Sequence, residues 1–325
     1  MVGISSAGAT DAEAEVLATT RAGSVLLLGN STSAISEVAQ TTHRARRAAR
    51  PPDAVKTMLA VDQEGGLVQR LQGSGFERMP AAVEQARLGN RRLATKAEQW
   101  GRQLRRAGID ANLAPVADVV PAARRSDNEP IGRLRREYGS DPDRVGDKVR
   151  AFVSGMEAAD VATAVKHFPG LGQVRGNTDF ESKVTDVTTR RHDALLAGFA
   201  EGIDAGANMI MVSSATYTKI DPKRRAAFSS TVLRGMIRGD LEFTGVIISD
   251  DLAARAMSDV SPDDRVVRFV RAGGDLAILG DSRIAGAAAQ ALVAEARDDP
   301  AFAKLVAAGA TRVVELKQRH GLASC

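Results

Sequence analysis

The run Ala162-Thr163-Ala164-Val165 ends at Lys166-His167, so small and apolar residues are followed at once by a lysine and a histidine. Two other apolar runs end in the same way, 57–61 at Asp62 and 246–249 at Asp250-Asp251. A run of about five such residues is too short for a helix and is typical of a strand buried on both faces. Charged side chains at the carboxyl ends of buried parallel strands are how an α/β barrel builds its active site. The three runs therefore predict a parallel barrel with a functional site at one end.

Short apolar runs of this kind recur eight times along the chain, at 2–5, 24–28, 57–61, 112–116, 162–168, 209–213, 246–250 and 276–279. Segments with a helical pattern lie between most of them, at 11–22, 94–107, 143–159, 192–205, 230–240 and 262–272, and a closing helix is predicted at 301–319. Alternating strands and helices predict βα units and a parallel sheet. Eight such units favour one (β/α)8 TIM barrel domain over residues 1–325, with an open doubly wound sheet as the alternative.

The composition is that of a globular protein. The net charge is only +4 and aromatic residues make up 4%, so the arginine clusters at 44–47 and 133–136 are interpreted as solvated helix faces rather than as a nucleic-acid surface. No run of 18 apolar residues predicts a membrane span. The only cysteine, Cys325, excludes an intrachain disulfide. The four histidines are scattered, so neither a metal site nor a cofactor is predicted.

The cellular location is only weakly indicated. The N-terminus lacks the basic and apolar regions of a signal peptide, which favours a cytoplasmic protein. Because Met1 leads directly into a predicted strand, the alternative is an exported or envelope-anchored protein whose upstream segment is missing from this sequence.

Asp250 is the strongest candidate for a functional residue. It ends a buried apolar strand, where an ionised carboxylate is costly unless a cation or a substrate pairs with it. A carboxylate paired with a core arginine or lysine is the structural alternative. The next residue, Asp251, points to the opposite side of the strand, so we predict that it caps the following helix or holds a loop.

Four further side chains are predicted to bind a ligand. Asp62 can accept hydrogen bonds from vicinal sugar hydroxyls, and Arg70 can donate hydrogen bonds from its planar guanidinium group; a capped turn is the alternative for this segment. Lys166 could form a Schiff base with a carbonyl substrate, or donate to ligand oxygens together with His167. Because no other histidine is close in sequence, His167 is predicted to form hydrogen bonds rather than to bind a metal.

Two connections, 117–141 and 169–190, are longer than a barrel requires. Long loops at the carboxyl ends of barrel strands usually carry the binding and the chemistry. Glycines at 170, 172 and 176 make the second loop able to move, so we predict that 169–190 is the most mobile long segment near the site and closes over a ligand.

Four motifs, in this order, resemble glycoside hydrolase family three, and more narrowly its single-domain, NagZ-like β-N-acetylglucosaminidases. They are Val61-Asp62-Gln63-Glu64-Gly65-Gly66 with Gln69-Arg70-Leu71, Asn112-Leu113-Ala114-Pro115-Val116-Ala117-Asp118, Lys166-His167-Phe168-Pro169-Gly170 and Ser249-Asp250-Asp251-Leu252. The resemblance covers nearly the whole chain. It implies a (β/α)8 barrel that needs no metal. The implied reaction hydrolyses terminal, non-reducing, β-linked N-acetylglucosamine with retention, as in the recycling of peptidoglycan fragments.

The resemblance also implies roles for single residues. Asp250 lies where the family has its nucleophile. The positions at which the family binds sugar hydroxyls and the acetamido region are occupied by Asp62, Arg70, Lys166 and His167. Arg136 matches the family's loop arginine, with Arg133 as a rival, because the Ile-Gly pair at 131–132 lies two residues further upstream than usual.

The acid/base position departs from the family pattern. The family has an Asp-Ser/Thr-His sequence in the loop after the lysine-histidine motif, whereas the same count here reaches Asn177-Thr178-Asp179. In the family the Asp–His pair of this sequence acts as acid/base, but two carboxyl groups, a nucleophile and an acid with a raised pKa, suffice for a retaining glycosidase. We therefore predict that Asp179 is the acid/base, with Glu181 as a substitute, and that Asn177 orients the acid by hydrogen bonding. A catalytically weak barrel that binds sugars is the main alternative, and a Schiff-base lyase using Lys166 is the third.

Overall fold

Eight parallel strands form the centre of the protein, in a computed structural model that describes residues 1–51 and 54–324; Cys325 lies outside the described residues. The strands are β1 Val2–Ser5, β2 Ser24–Leu28, β3 Met58–Val61, β4 Ala111–Asn112, β5 Ala162–Phe168, β6 Met209–Val212, β7 Val246–Asp251 and β8 Leu276–Ile278. Each strand pairs with the next one along the chain. The Gly3 N–H donates to the Leu279 carbonyl at 2.8 Å, which joins β1 to the end of β8 and closes the sheet. The predicted (β/α)8 TIM barrel is confirmed.

Helices surround the barrel in the described part of the chain. They are α1 Asp11–Thr20, α2 Ile35–Ala48, α3 Ala82–Gln85, α4 Asn90–Arg106, α5 Pro142–Ala158, α6 Ala197–Asp204, α7 Pro262–Ala272, α8 Ala285–Asp298 and α9 Pro300–Arg319. A further helix, Thr231–Asp240, has π-helical hydrogen bonding. The sequence did not predict α2 or α8, because these helices bury mainly alanine and threonine rather than large apolar residues.

The fourth strand is shorter and lies earlier than the predicted 112–116, which is wrong in its bounds. Pro115 has no N–H group, so a regular ladder cannot continue through it. The chain nevertheless stays beside β5, since the Lys166 N–H donates to the Pro115 carbonyl at 3.2 Å. The Ala117 N–H in turn donates to the Lys166 carbonyl at 2.7 Å. This irregular continuation carries the chain to the carboxyl end of the barrel.

The alternation of side chains along the strands determines what faces the barrel interior. In β3, Met58 and Ala60 belong to the interior cluster, while Leu59 and Val61 pack towards the helices. The interior members of β5 and β7 also have even numbers: Ala162, Ala164, Val246 and Ile248. Because successive side chains alternate between the two faces, positions 62, 166 and 250 continue the inward row. The three charged strand ends of the sequence therefore converge on one point.

Four arginines of the clusters at 44–47 and 133–136 form ion pairs with carboxylates of this chain. The pairs are Arg46 with Asp110, Arg133 with Glu129, Arg135 with Glu84 and Arg136 with Glu64. Of the described helices, none combines the length and apolar character that a membrane crossing requires.

Candidate active site

A cavity of about 470 Å³ opens at the carboxyl ends of the strands. The first-choice candidates for binding and catalysis all line it: Asp62, Arg70, Arg136, Lys166, His167, Asp179 and Asp250. Buried apolar side chains of the strands form its floor: Leu26, Leu113, Met211 and Ile278. The cavity therefore combines an apolar floor with charged walls.

Lys166 lies at the centre of a buried network of charges. Its Nζ donates to Asp62 Oδ1 at 2.6 Å and lies 2.8 Å from Glu64 Oε1. Arg136 holds the same Glu64 with two hydrogen bonds, from Nε at 2.8 Å and from a terminal nitrogen at 2.7 Å. A further terminal nitrogen of Arg136 donates to the Pro130 carbonyl at 2.8 Å. The network fixes two cations and two carboxylates in one rigid group.

The electrostatics of this network keep its members charged. Burial alone would raise the pKa of Glu64, but the adjacent Arg136 and Lys166 hold it well below its usual range. Burial alone would lower the pKa of Lys166, but the carboxylates of Asp62 and Glu64 raise it above its usual value. A Schiff-base lysine needs a depressed pKa, because only the neutral amine attacks a carbonyl. The geometry therefore disfavours the lyase alternative.

Replacing Lys166 by methionine is expected to destabilise the protein strongly as well as to weaken sugar binding. The substitution leaves Asp62 and Glu64 facing each other without their shared cation, and breaking a buried ion pair costs about 3–5 kcal/mol. Denaturant unfolding measures the change. The control is Lys96→Met, which removes a half-exposed pair with Glu77 and should cost less than about 1 kcal/mol. Equal losses in the two variants would contradict the structural role of Lys166.

His167 is held by Asp118, a residue to which the sequence assigned no role. The fully buried Asp118 accepts hydrogen bonds from His167 Nδ1 at 2.8 Å and from the His167 N–H at 3.1 Å. It also accepts one from the Leu171 N–H at 2.8 Å. Because the carboxylate accepts at Nδ1, that nitrogen carries a proton, and Nε2 is directed to the site, 3.5 Å from Arg136. His167 is thus oriented for hydrogen bonding.

Arg70 retains an unused donor. One terminal nitrogen donates to Asn30 Oδ1 at 3.2 Å. The buried Nε of Arg70 has no acceptor among the described residues. A buried donor without a partner is costly to the folded state.

The two aspartates at the end of β7 have different environments. Burial raises the pKa of Asp250 to about 6, and the negative charge of Asp179 adds to the rise, while His167 opposes it. Asp251 Oδ1 instead accepts hydrogen bonds from the N–H groups of Ala253 and Gly280, both at 2.8 Å. Asp251 therefore holds the loops after β7 and β8 together, the role that the sequence predicted.

Asp179 and Glu181 occupy different sides of one turn. Asp179 is exposed and lines the cavity, whereas Glu181 does not line it. The Glu181 carboxylate instead accepts from the Asn177 N–H at 3.2 Å. Asn177 Oδ1 accepts from the Asp179 N–H at 3.0 Å. The Asn177 side chain therefore forms the predicted kind of contact, a hydrogen bond to Asp179, and it does so through the main chain of Asp179.

Arg133 and Arg136, the two candidates for the loop arginine, lie in different places. Arg133 is exposed and pairs with Glu129 at 3.1 Å, away from the cavity. Arg136 is the arginine that reaches the site.

Asn128 joins the two long loops and was missed by the sequence analysis. It is fully buried, and its Nδ2 donates to the carbonyls of Leu171 at 2.7 Å and Val174 at 2.8 Å. Its Oδ1 accepts from the N–H groups of Ile131 at 3.1 Å and Gly132 at 2.7 Å. Both N–H groups of its side-chain amide donate, and its side-chain oxygen accepts two hydrogen bonds. The loop that carries Arg136 is thereby fixed to the loop that carries Asp179, and the predicted motion of 169–190 stays a prediction.

Asn128→Ala is expected to release both loops. The N–H groups of Ile131 and Gly132 lose their acceptor, so their hydrogen-exchange protection should fall, and each unsatisfied group costs about 1–3 kcal/mol. Asn128→Asp is the matched control, because it keeps an acceptor for those two amides but no longer donates to Leu171 and Val174. Unchanged exchange in the alanine variant would show that other contacts hold the loops.

The described residues contain no group of three or more His, Cys, Asp or Glu side chains arranged to hold a metal ion.

The chain was compared with known protein families and with known proteins. The sequence matches the family described as "Glycosyl hydrolase family 3 N terminal domain" over residues 2–316. A β-hexosaminidase from Tolumonas auensis is 34% identical over 285 residues, which cover 85% of this chain and 80% of the relative. A β-hexosaminidase from Thioalkalivibrio sulfidiphilus is 33% identical over 293 residues, which cover 86% of this chain and 79% of the relative.

A solved structure gives the same result. The β-N-acetylhexosaminidase from Beutenbergia cavernae superposes with a TM-score of 0.94 at 39% identity, covering 98% of this chain and 96% of that one. The family match spans nearly the whole barrel, including each strand end that carries a charged residue. The chain therefore belongs to glycoside hydrolase family 3 and is a glycoside hydrolase.

Proposed function

We propose that the protein is a retaining exo-β-N-acetylglucosaminidase that uses Asp250 as nucleophile and Asp179 as acid/base. The proposal rests on the placement of these two carboxyl groups in one cavity. The negative charge of Asp179 raises the pKa of Asp250 there. Two carboxyl groups about 5–5.5 Å apart are the equipment of a retaining glycosidase. The names of the relatives, β-hexosaminidase and β-N-acetylhexosaminidase, support the choice of sugar.

The reaction proceeds in two displacements. In the first, an Asp250 oxygen forms a bond to the sugar C1 while the glycosidic C–O bond breaks, and Asp179 gives its proton to the departing oxygen. In the second, Asp179 takes a proton from water, and the resulting hydroxide displaces Asp250 from C1. Because the negative charge of Asp179 raises the pKa of Asp250, ionisation of Asp250 is favoured when Asp179 carries the proton. That is the state which the first step requires.

The buried charge network is suited to the hydroxyl groups of the sugar. Asp62 accepts hydrogen bonds, while Arg70, Lys166 and Arg136 donate them. We propose that this network, with His167, binds the hydroxyl and acetamido groups of a terminal N-acetylglucosamine. Chito-oligosaccharides and peptidoglycan fragments are the natural sources of such a residue.

A panel of nitrophenyl glycosides tests the activity. The β-N-acetylglucosaminide is expected to be hydrolysed, and the matched β-glucoside and β-xyloside at least about tenfold less efficiently. Proton NMR during turnover should show the β-anomer of the product first, because two displacements retain configuration. A run with added inorganic phosphate shows whether water or phosphate accepts the sugar. Initial formation of the α-anomer, or faster turnover of the glucoside, would contradict the proposal.

The dependence of kcat/KM on pH follows from the pKa of Asp250. The nucleophile must be ionised, so activity should fall as the pH decreases through about 6. An acid limb at the ordinary aspartate pKa of about 4 would contradict the raised pKa of Asp250.

The alternative function, sugar binding with little turnover, predicts a different result in the same panel. It requires that the acid/base be lost, whereas a carboxyl group, Asp179, lines the cavity. Binding of N-acetylglucosamine by calorimetry without turnover of any aryl glycoside would establish the alternative.

A further inference from the structure

Two exposed hydrophobic side chains meet the mouth of the active-site cavity. Phe180 has 78% of its surface accessible and Leu67 has 63%, the two highest values for large hydrophobic residues in the described part of the chain. Both line the cavity, whereas the other two exposed residues of this kind, Val187 and Val293, do not. Single exposed apolar residues need no explanation. Two that converge on one functional cavity indicate a ligand surface.

The position of Phe180 indicates which part of a ligand it would contact. It follows Asp179 directly, and the acid must reach the glycosidic oxygen, which joins the terminal sugar to its leaving group. Asp250 is partly buried at the end of β7, whereas Asp179 and Phe180 are exposed on a loop. The terminal sugar therefore occupies the floor of the cavity, and the leaving group lies at the mouth beside Phe180.

Phe180 lies in a turn whose backbone is held by hydrogen bonds. The N–H of Phe180 donates to the Asn177 carbonyl at 3.1 Å, and the N–H of Glu181 donates to the same oxygen at 2.9 Å. The Thr178 carbonyl accepts from the Ala256 N–H at 3.0 Å, which fastens the turn to the segment after β7. Because these hydrogen bonds already fix the backbone of the turn, the main chain at Phe180 loses little freedom when a ligand packs against the ring.

We propose that Phe180, together with Leu67, forms the binding site for the leaving group, and that this group is a pyranose ring. The face of an aromatic ring carries a partial negative charge, so it attracts the C–H groups on the apolar face of a pyranose. Phe180 has no hydrogen-bonding group, so the site selects a ring rather than a pattern of hydroxyls. This inference rests on the proposed function, since it assigns the second sugar of the substrate.

The test compares a leaving group that has a ring with one that lacks it. The substrates are N,N′-diacetylchitobiose and methyl β-N-acetylglucosaminide, and the readout is the ratio of their kcat/KM values. In Phe180→Ala this ratio should fall about twofold to tenfold, because only the disaccharide can stack on the ring. Phe180→Tyr should keep the wild-type ratio. Val187→Ala, at another exposed position that lies outside the cavity, should also leave it unchanged.

A binding measurement gives an independent readout. In an Asp250→Asn background, calorimetry should show that wild-type Phe180 favours chitobiose over N-acetylglucosamine, and that Phe180→Ala removes most of this preference. An unchanged ratio in both the kinetic and the binding arms would overturn the assignment of Phe180. If the unmodified enzyme hydrolyses no β-N-acetylglucosaminide, the proposed function fails. The binding arm then still decides whether Phe180 contacts a second ring.

Discussion

Asp250→Asn is expected to lower kcat by at least about 10⁴-fold, since loss of a covalent nucleophile removes the reaction path rather than one contact. The amide is nearly the same size as the carboxyl group and retains an oxygen that can accept from the Asp251 N–H, as Asp250 Oδ1 does at 2.9 Å. Affinity for N-acetylglucosamine should therefore stay within about tenfold of the wild-type value. Turnover of a nitrophenyl β-N-acetylglucosaminide and calorimetry measure the two quantities.

The matched control is Asp251→Asn. It makes the same chemical change one residue away, at a side chain whose Oδ1 accepts from two backbone N–H groups. The asparagine oxygen can keep both bonds, so its activity should fall by less than about tenfold. If Asp250→Asn retains more than about a tenth of the wild-type rate, Asp250 is not the nucleophile.

Asp179→Ala is expected to give the second largest effect, and one that depends on the substrate. A general acid matters most when the leaving group is poor, so hydrolysis of chitobiose should fall by about 10²–10⁴-fold. Formation of the glycosyl-enzyme from a nitrophenyl glycoside should be affected much less. Added azide should accelerate the variant on the nitrophenyl substrate, because a small anion can attack the glycosyl-enzyme without a base.

Glu181→Ala is the control for the acid/base assignment. Its carboxylate holds the Asn177 N–H and does not line the cavity, so the loss should be similar for both substrates and should not respond to azide. The reverse pattern, with azide rescue in Glu181→Ala and none in Asp179→Ala, would transfer the role to Glu181.

The sequence predicts the barrel and the centre of the site because local patterns determine both. Apolar runs alternate with helical segments, and the even positions of β3, β5 and β7 place Asp62, Lys166 and Asp250 on the inward face. Counting from Lys166 along the family pattern predicts Asp179, and this residue lines the cavity. These features depend on residues that are near one another along the chain.

The parts that the sequence did not predict depend on contacts between distant segments. Glu64 lies in a glycine-rich turn, and only the fold brings it to Arg136, 72 positions along the chain. Asp118 meets His167 across 49 positions, and Asn128 meets Val174 across 46. No local period or spacing encodes such pairs. The signal that could have found them is a buried polar residue in a long loop, because such a group must have a partner.

Trapping of the glycosyl-enzyme tests the central claim most directly. A fluorinated N-acetylglucosaminyl fluoride forms the covalent intermediate but slows its hydrolysis, so intact-mass spectrometry should show one added sugar. Peptide mapping should then locate it on the peptide that contains Asp250, and Asp250→Asn should remain unlabelled. An enzyme that turns over the aryl substrate but never forms an adduct would contradict the account. Such a result would point to assistance by the acetamido group of the substrate, which leaves no bond to the protein.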